Sequence, residues 1–301
     1  MSNREQVEAG NNMKILVTGA NGFVGAKLIQ SLSKENEVYC ISRREDSGPS
    51  HPNIQWIQQD LSNKIDYSVL PEKIDSIVHL AQSRHYREFP EKALDIFNVN
   101  DNSTLQLLDY GRKVGIQSFV FASTGGVYAA TSGPMREDSL LNPQGFYPLS
   151  KYIAERLVQS YAPYFSTSIL RLFFIYGEDQ ANMLIPNLIR SVKEGRSVTL
   201  NSETGIKITP TYVSDVVRAI GQAIKMEGHE IINVSGDEII SMVEIARTIG
   251  EILKIQPNYE YAPNPNTMDF VVDNRKMKDL LGIVPEVPFR EGLERTIRSI
   301  V

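Results

Sequence analysis

The sequence predicts an α/β protein built on a doubly wound parallel sheet, with a smaller mixed α/β region at the C-terminal end. Two observations carry this. Short apolar runs alternate with helically spaced segments through the first 175 residues, and a glycine-punctuated strand–turn–helix opens the series at Ile15–Gly25. Strands are expected at Lys14–Thr18, Val38–Ser42, Ile54–Gln58, Ser76–Ala81, Phe119–Ser123 and Thr167–Leu172, with helical spacing over Gly25–Ser33, Glu91–Val114 and Ser150–Tyr161. From Tyr176 the pattern becomes mixed, with loops rich in Pro, Asn and Gly at Tyr261–Asn266 and Pro285–Pro288. The expected division is a disordered tail at 1–12 and a dinucleotide-binding domain at 13–175, to which 207–225 returns. A substrate-binding region is expected over 176–206 and 226–301.

The glycine turn is the most informative element. In Ile15-Leu16-Val17-Thr18-Gly19-Ala20-Asn21-Gly22-Phe23-Val24-Gly25, the first glycine makes the turn and the second admits a pyrophosphate to the backbone. The third lets helix and strand pack closely. The following helix then points unpaired N–H groups and a partial positive charge at the diphosphate. A Gly-rich turn in a purely structural βα unit is the alternative. The legible strand and helix on either side favour a Rossmann-type dinucleotide site.

Composition narrows the partners. A chain of 301 residues with 42% hydrophobic and 22% charged residues is ordinary for a globular protein. A net charge of −5 argues against nucleic acid or an anionic membrane as partner. The single cysteine, Cys40, lies in an apolar strand pattern and reads as a buried thiol in a reducing compartment. Residues 1–12 lack the apolar core of a signal peptide, and no run approaches a membrane span. A cytoplasmic protein is expected, and no metal-ligand set is assigned.

Two further segments carry chemistry. Tyr147-Pro148-Leu149-Ser150-Lys151 places a phenol and an ammonium one helical turn apart. An ammonium beside a phenol favours the phenolate, and such a tyrosine can pass a proton to or from an alcohol or ketone. Coincidence is the competing explanation, since the chain has 13 tyrosines. Upstream, the apolar run Phe119–Ala122 ends in Ser123-Thr124 before Gly125-Gly126. A hydroxyl there is placed to hold a reacting oxygen, although strand-end Ser and Thr also cap turns.

Taken together these segments resemble an extended short-chain dehydrogenase/reductase of the NAD-dependent epimerase/dehydratase family, over nearly all of Met13–Ile300. The resemblance rests on the glycine turn, Asp60-Leu61, His79-Leu80-Ala81, Asn100 and the hydroxyl strand before Val127-Tyr128. It continues through Glu137, Pro143, Tyr147 with Lys151, Glu155, Leu170-Arg171, Tyr176-Gly177, Tyr212-Val213-Ser214-Asp215 and Leu281-Gly282. It implies Thr124 as the substrate-orienting hydroxyl, Tyr147 as the proton-transfer residue, and Lys151 as the group that binds nicotinamide ribose and tunes Tyr147. For the dinucleotide it implies Gly19, Asn21, Gly22, Phe23, Val24 and Gly25 in the turn, with Asp60 and Leu61 near adenine. It also implies Ser42, Arg43 and Arg44 at the end of the second strand, and Leu80 and Ala81 at the end of the fourth. Asn100 and Arg171 have equally good structural readings and stay outside the catalytic set. The resemblance also implies a homodimer through the helices near Asn100–Val114 and Ser150–Tyr161.

Departures from the family pattern refine the expectation. Where NAD-specific members place an acid at the end of the second strand, this chain has Ser42-Arg43-Arg44, which suits the 2′-phosphate of NADP. NAD, with two arginines merely solvated, is the alternative. Gly125 and Gly126 stand where dehydratases have acidic residues and 3,5-epimerase-reductases a cysteine, so elimination and α-epimerisation lack their usual agent. What remains is ketone reduction or 4-epimerisation, best matched by C4 of a nucleotide-activated sugar. Phe174, Ile208 and Asn264 occupy places where relatives hold the diphosphate with Asn and Arg, leaving Lys207, Arg190, Arg196 or Arg275 as substitutes. A reductase of a non-nucleotide carbonyl compound is therefore the rival reading. A non-catalytic dinucleotide sensor is disfavoured because the Tyr147/Lys151 pair is kept.

Overall fold

The computed structural model describes residues 12–44, 48–131, 133–262, 264 and 268–301. The tail expected at 1–12 lies outside the described residues except for Asn12, and so does part of the loop expected at 261–266. A seven-stranded parallel sheet organises the chain. Its strands are β1 (Lys14–Thr18), β2 (Glu37–Ser42), β3 (Ile54–Gln58), β4 (Ser76–His79), β5 (Ser118–Thr124), β6 (Ser166–Leu172) and an outer strand, His229–Val234. The spatial order is outer strand, β6, β5, β4, β1, β2, β3, so the order reverses at β1, between β4 and β2. Ligands of open α/β sheets bind beside the strand ends at such a reversal.

The strands are apolar on both faces because both faces are covered. Ile15, Val17, Val38, Val78, Val120, Leu170 and Ile232 bury one face under α1 (Phe23–Leu32), α6 (Val213–Ala223) and α8 (Arg275–Leu281). Leu16, Ile77, Phe119, Phe121 and Ile169 bury the other under α3 (Ser103–Val114) and α4 (Phe146–Ser160). Cys40 is buried in the first of these layers, and burial pushes its thiol up to about 12, which keeps it protonated and unreactive.

Three features differ from the sequence expectation. The continuous helix expected over Glu91–Val114 is three joined pieces: α2 (Ala93–Phe97), a π-helical turn at Asn98–Asn102, and α3. Spacing alone does not show a π-turn, since one extra residue per turn barely disturbs the apolar pattern. The fourth strand ends at His79, and Leu80-Ala81 leave the ladder where they meet the glycine turn. His229–Val234, expected in the C-terminal region, pairs in register with β6, and Met277 and Leu281 of α8 pack on the same sheet. It follows α6, which packs on the same face, so the strand completes the sheet together with the returning segment 207–225.

The remaining C-terminal chain forms a second apolar cluster from α5 (Leu184–Lys193), α7 (Met242–Leu253) and α9 (Phe289–Ile300). Ile185, Ile189, Ile245, Ile249, Leu293 and Ile297 fill it. Three short two-stranded ladders edge it: Ile175–Tyr176 with Thr211–Tyr212, Lys207–Ile208 with Ile240–Ser241, and Val198–Leu200 with Tyr259–Tyr261. Among the described residues, no helix is long and apolar enough to cross a membrane.

Candidate active site

The glycine turn is built as the spacing requires. Gly19 adopts φ +69°, and a Cβ there would sit 2.8 Å from the backbone of Leu80 and Ala81. Gly22 N donates to Gly19 O at 2.8 Å, and a Cβ on Gly25 would lie 2.1 Å from that same carbonyl. No side chain larger than hydrogen fits at Gly25 without breaking the turn. Among the described residues, α1 starts at Gly22 with no side-chain cap and no acid in its first turn. Its dipole and first N–H groups are therefore left to an anion. The turn fits a dinucleotide diphosphate.

A cleft of ≈ 610 Å³ opens beside this turn, lined by Gly19, Asn21, Gly22, Ser42, Arg43, Arg44, Asp60, Leu61, Leu80 and Ala81. Ten of the expected cofactor residues thus share one surface. Phe23, Val24 and Gly25 do not line it: the two apolar side chains pack into the interior and Gly25 is buried beneath the turn. They can act on a dinucleotide through backbone N–H groups only. Asn21 donates to Ser42 Oγ at 2.8 Å, tying the turn to the end of β2, while Arg43 and Arg44 are exposed at the rim.

The cleft continues along Gln82, Ser83, Arg84 and His85. Sequence reasoning passed over these residues. Their position just beyond a central strand's carboxyl end is the signal that points to them. Gln82 reaches Tyr147, whose Oη donates to Gln82 Oε1 at 3.0 Å. The Tyr147 ring lies against Tyr86, with centroids 5.0 Å apart.

Thr124 ends β5, Tyr147 and Lys151 occupy the first turns of α4, and the sheet brings all three to one place. Thr124 Oγ1 accepts from Gly126 N at 3.2 Å, and Thr124 is near enough to Tyr147 to favour the ionised phenol. Lys151 is buried, donates to the Ala122 carbonyl at 2.8 Å, and lies 4.7 Å over the Phe121 ring. Burial lowers its pKa to about 8, against the opposing pull of Asp101 and Glu155.

One electrostatic expectation is corrected. Lys151 was expected to lower the Tyr147 pKa, but the phenol is raised above its ordinary value, chiefly by burial, with Thr124 opposing and Tyr86 adding. The Lys151 ammonium is engaged by the Ala122 carbonyl, and desolvation of the phenol sets the direction of its shift. Tyr147 is held as a phenol, the form that donates a proton.

Buried struts fix the pair. Asn100 accepts from Ser83 N at 2.9 Å and donates to Ser150 Oγ at 2.8 Å, which joins the cleft wall to α4. Arg171 grips Glu155 with two bonds, Nε to Oε1 at 3.0 Å and Nη2 to Oε2 at 2.7 Å, both residues about 1% exposed. His79 bridges Thr18 at 2.6 Å and Thr104 at 2.9 Å, and burial lowers it to about 3, so it stays neutral. Asn100 and Arg171 thus have structural partners, in keeping with their place outside the catalytic set.

On the other side of the site, Phe174 packs edge-on to Phe270 at 5.5 Å and Ile208 is fully buried, so neither offers a diphosphate a donor. Arg190 bonds Asn187, Arg196 pairs with Glu194, and Arg275 pairs with Asp273.

Comparison with known proteins agrees with this geometry. The chain is 28% identical to UDP-glucuronate 4-epimerase of Thermodesulfobacterium geofontis, covering 94% of each chain. It is 29% identical to a protein of Bacillus subtilis described as an uncharacterized UDP-glucose epimerase, covering 95% of this chain and 97% of that one. Among solved structures, UDP-glucuronic acid 4-epimerase of Bacillus cereus, in complex with UDP-glucuronic acid and NAD, superposes with a TM-score of 0.85. It is 28% identical, over 96% of this chain and 99% of that one. The model of the NAD dependent epimerase/dehydratase family matches residues 15–235, from the first strand through the outer strand of the sheet. With its glycine turn, its Tyr–Lys pair and nearly three quarters of its length so matched, the chain belongs to that family.

Proposed function

We propose that this protein is an NAD(P)-dependent 4-epimerase of a nucleotide-activated sugar, with Tyr147 as acid/base. The observation that carries the reading is the convergence of Thr124, Tyr147 and Lys151 beside the glycine turn. The names of the relatives, both 4-epimerase and UDP-glucose epimerase, support C4 of a UDP-sugar as the reacting position.

Each side chain has a task. Thr124 Oγ1 and Tyr147 Oη hold the sugar hydroxyl between them. Tyr147 takes its proton as the alcohol is oxidised and returns it when the ketone is reduced on the opposite face. Lys151, anchored to the Ala122 carbonyl, keeps a positive charge behind the pair and a donor for a ribose hydroxyl. A bound nicotinamide dinucleotide supplies the two-electron acceptor and donor, and in its oxidised form a charge that favours the phenolate. Gln82 holds the phenol in line between turnovers.

The test is product analysis by NMR with UDP-glucuronic acid and UDP-glucose as probes. Tyr147→Phe is expected to lower turnover about 10²–10⁴-fold while dinucleotide binding persists. Full turnover in that variant would overturn the assignment. The second reading, reduction of a non-nucleotide carbonyl, is favoured by the apolar Phe174 and Ile208. A rise in melting temperature with UDP decides against it.

Two finer points complete the proposal. NADP is preferred at the adenosine end, supported by Ser42 in place of an acid and by exposed Arg43 and Arg44, although the Bacillus cereus neighbour was solved with NAD. Replacing both arginines with alanine should then weaken NADPH more than NADH. Equal loss removes the preference. The assembly is a homodimer through α3 and α4, where Leu105, Leu149 and Ile153 are exposed, and sedimentation velocity reads it directly.

A further inference from the structure

One buried ionisable group is unused by the mechanism above. Asp101 lies in the π-helical turn Asn98–Asn102 and is 1% exposed, yet neither carboxyl oxygen has a hydrogen-bond partner among the described residues. Buried carboxylates are ordinarily paired or bonded, so an unpartnered one marks a site with a use. π-turns gather at functional positions, where the extra residue re-aims a side chain. Here the turn is docked on α4, since Asn100, the preceding residue, bonds Ser150, the residue before Lys151.

We propose that Asp101 is a positioning residue that acts through Lys151, its buried carboxylate holding the charge of Lys151 and so setting the pH range over which the Tyr147 site works. The inference rests on the reading of Tyr147 and Lys151 given above.

The surrounding charges leave Asp101 this part. Glu155 also faces Lys151, but both of its oxygens are taken by Arg171, and Ser123 donates to it as well. His79, across the sheet, is neutral and spans two threonines. Asp95 is bonded by Ser83. Among the described residues, Lys151 is the cation that favours the ionised form of Asp101, and Asp101, with Glu155, favours the charged form of Lys151. Burial raises the Asp101 acid to about 7 and lowers Lys151 to about 8, so each group opposes the other's desolvation near neutral pH. With Asp101 removed, burial acts on Lys151 with less opposition and the ammonium loses its proton at lower pH.

The experiment is an NMR titration of the Lys151 side chain in ¹³Cε-lysine-labelled enzyme without dinucleotide, assigned by Lys151→Met. Wild type is compared with Asp101→Asn and Asp101→Val. Valine leaves no polar atom stranded, so it serves if the asparagine variant does not fold. The midpoint is expected to fall by about one unit, a tenfold change in the proton equilibrium, and the alkaline limb of the kcat profile should move to lower pH with it. An unchanged midpoint overturns the proposal, as does a shifted midpoint with an unmoved alkaline limb. Full turnover in Tyr147→Phe would instead sink the active-site reading and leave the titration standing as a separate result.

Discussion

The two halves of this molecule hold their polar groups in opposite ways. Around the sheet ends, charges and hydroxyls are buried and bonded to one another: Arg171 with Glu155, His79 between Thr18 and Thr104, Asn100 between Ser83 and Ser150. In the C-terminal cluster the interior is apolar and ion pairs such as Arg290–Glu251 lie at the surface, each partner about half exposed. Buried polar networks cost desolvation and repay it only when every member is satisfied, so they persist where geometry must be fixed. The sheet half is thus a rigid platform, and the C-terminal half is held by shape-filling residues that tolerate exchange.

That contrast can be broken by measurement. Glu155→Gln, which leaves Arg171 buried without its counter-charge, should cost about 3–5 kcal/mol in chemical denaturation. Glu251→Gln in the C-terminal half should cost about 0–1 kcal/mol, since exposed pairs contribute little. Equal losses would end the distinction.

Acid offers a second comparison. The folded pKa of His79, about 3, lies below its unfolded value near 6.5, so the unfolded chain takes up the proton first. Stability should therefore be full above about pH 6.5 and decline as pH falls towards 3, by an amount on the order of 4 kcal/mol. His79→Gln should flatten that decline, and an unchanged acid limb would show that other groups govern it.

A further stability effect, between those of the buried and the exposed ion pair, concerns the turn. Gly25→Ala should cost about 1–3 kcal/mol, with dinucleotide affinity lost out of proportion because Gly19 O must move. Intact affinity measured by calorimetry would show that the turn is more pliant than its contacts imply.

The same contrast explains what the sequence disclosed. The glycines at 19, 22 and 25 are dictated by backbone contacts within one βα unit, and Tyr147 with Lys151 by one helical turn, so local spacing reveals them. Ser42, Asp60 and Ala81 follow because strand ends in such a sheet have fixed positions. Asp101 and Gln82 owe their significance to neighbours 50 and 65 residues away, which no local pattern records. The electrostatics of Tyr147 were misjudged for a similar reason: the ammonium was placed by spacing, while the desolvation that sets the direction of the shift is a property of the folded site. In the C-terminal half, apolar residues such as Phe174 and Ile208 pack without a code for what they face.

Gly125 carries a last consequence. A Cβ there would fall 2.1 Å from the ring of Phe173, which is itself buried against Tyr128. The position next to Thr124 is therefore closed by a neighbouring aromatic, and an acid cannot be introduced there while that ring remains. Residues 125 and 173 are therefore coupled: a redesign that places a carboxyl at residue 125 has to make room at residue 173 as well, by a smaller side chain or a turned ring.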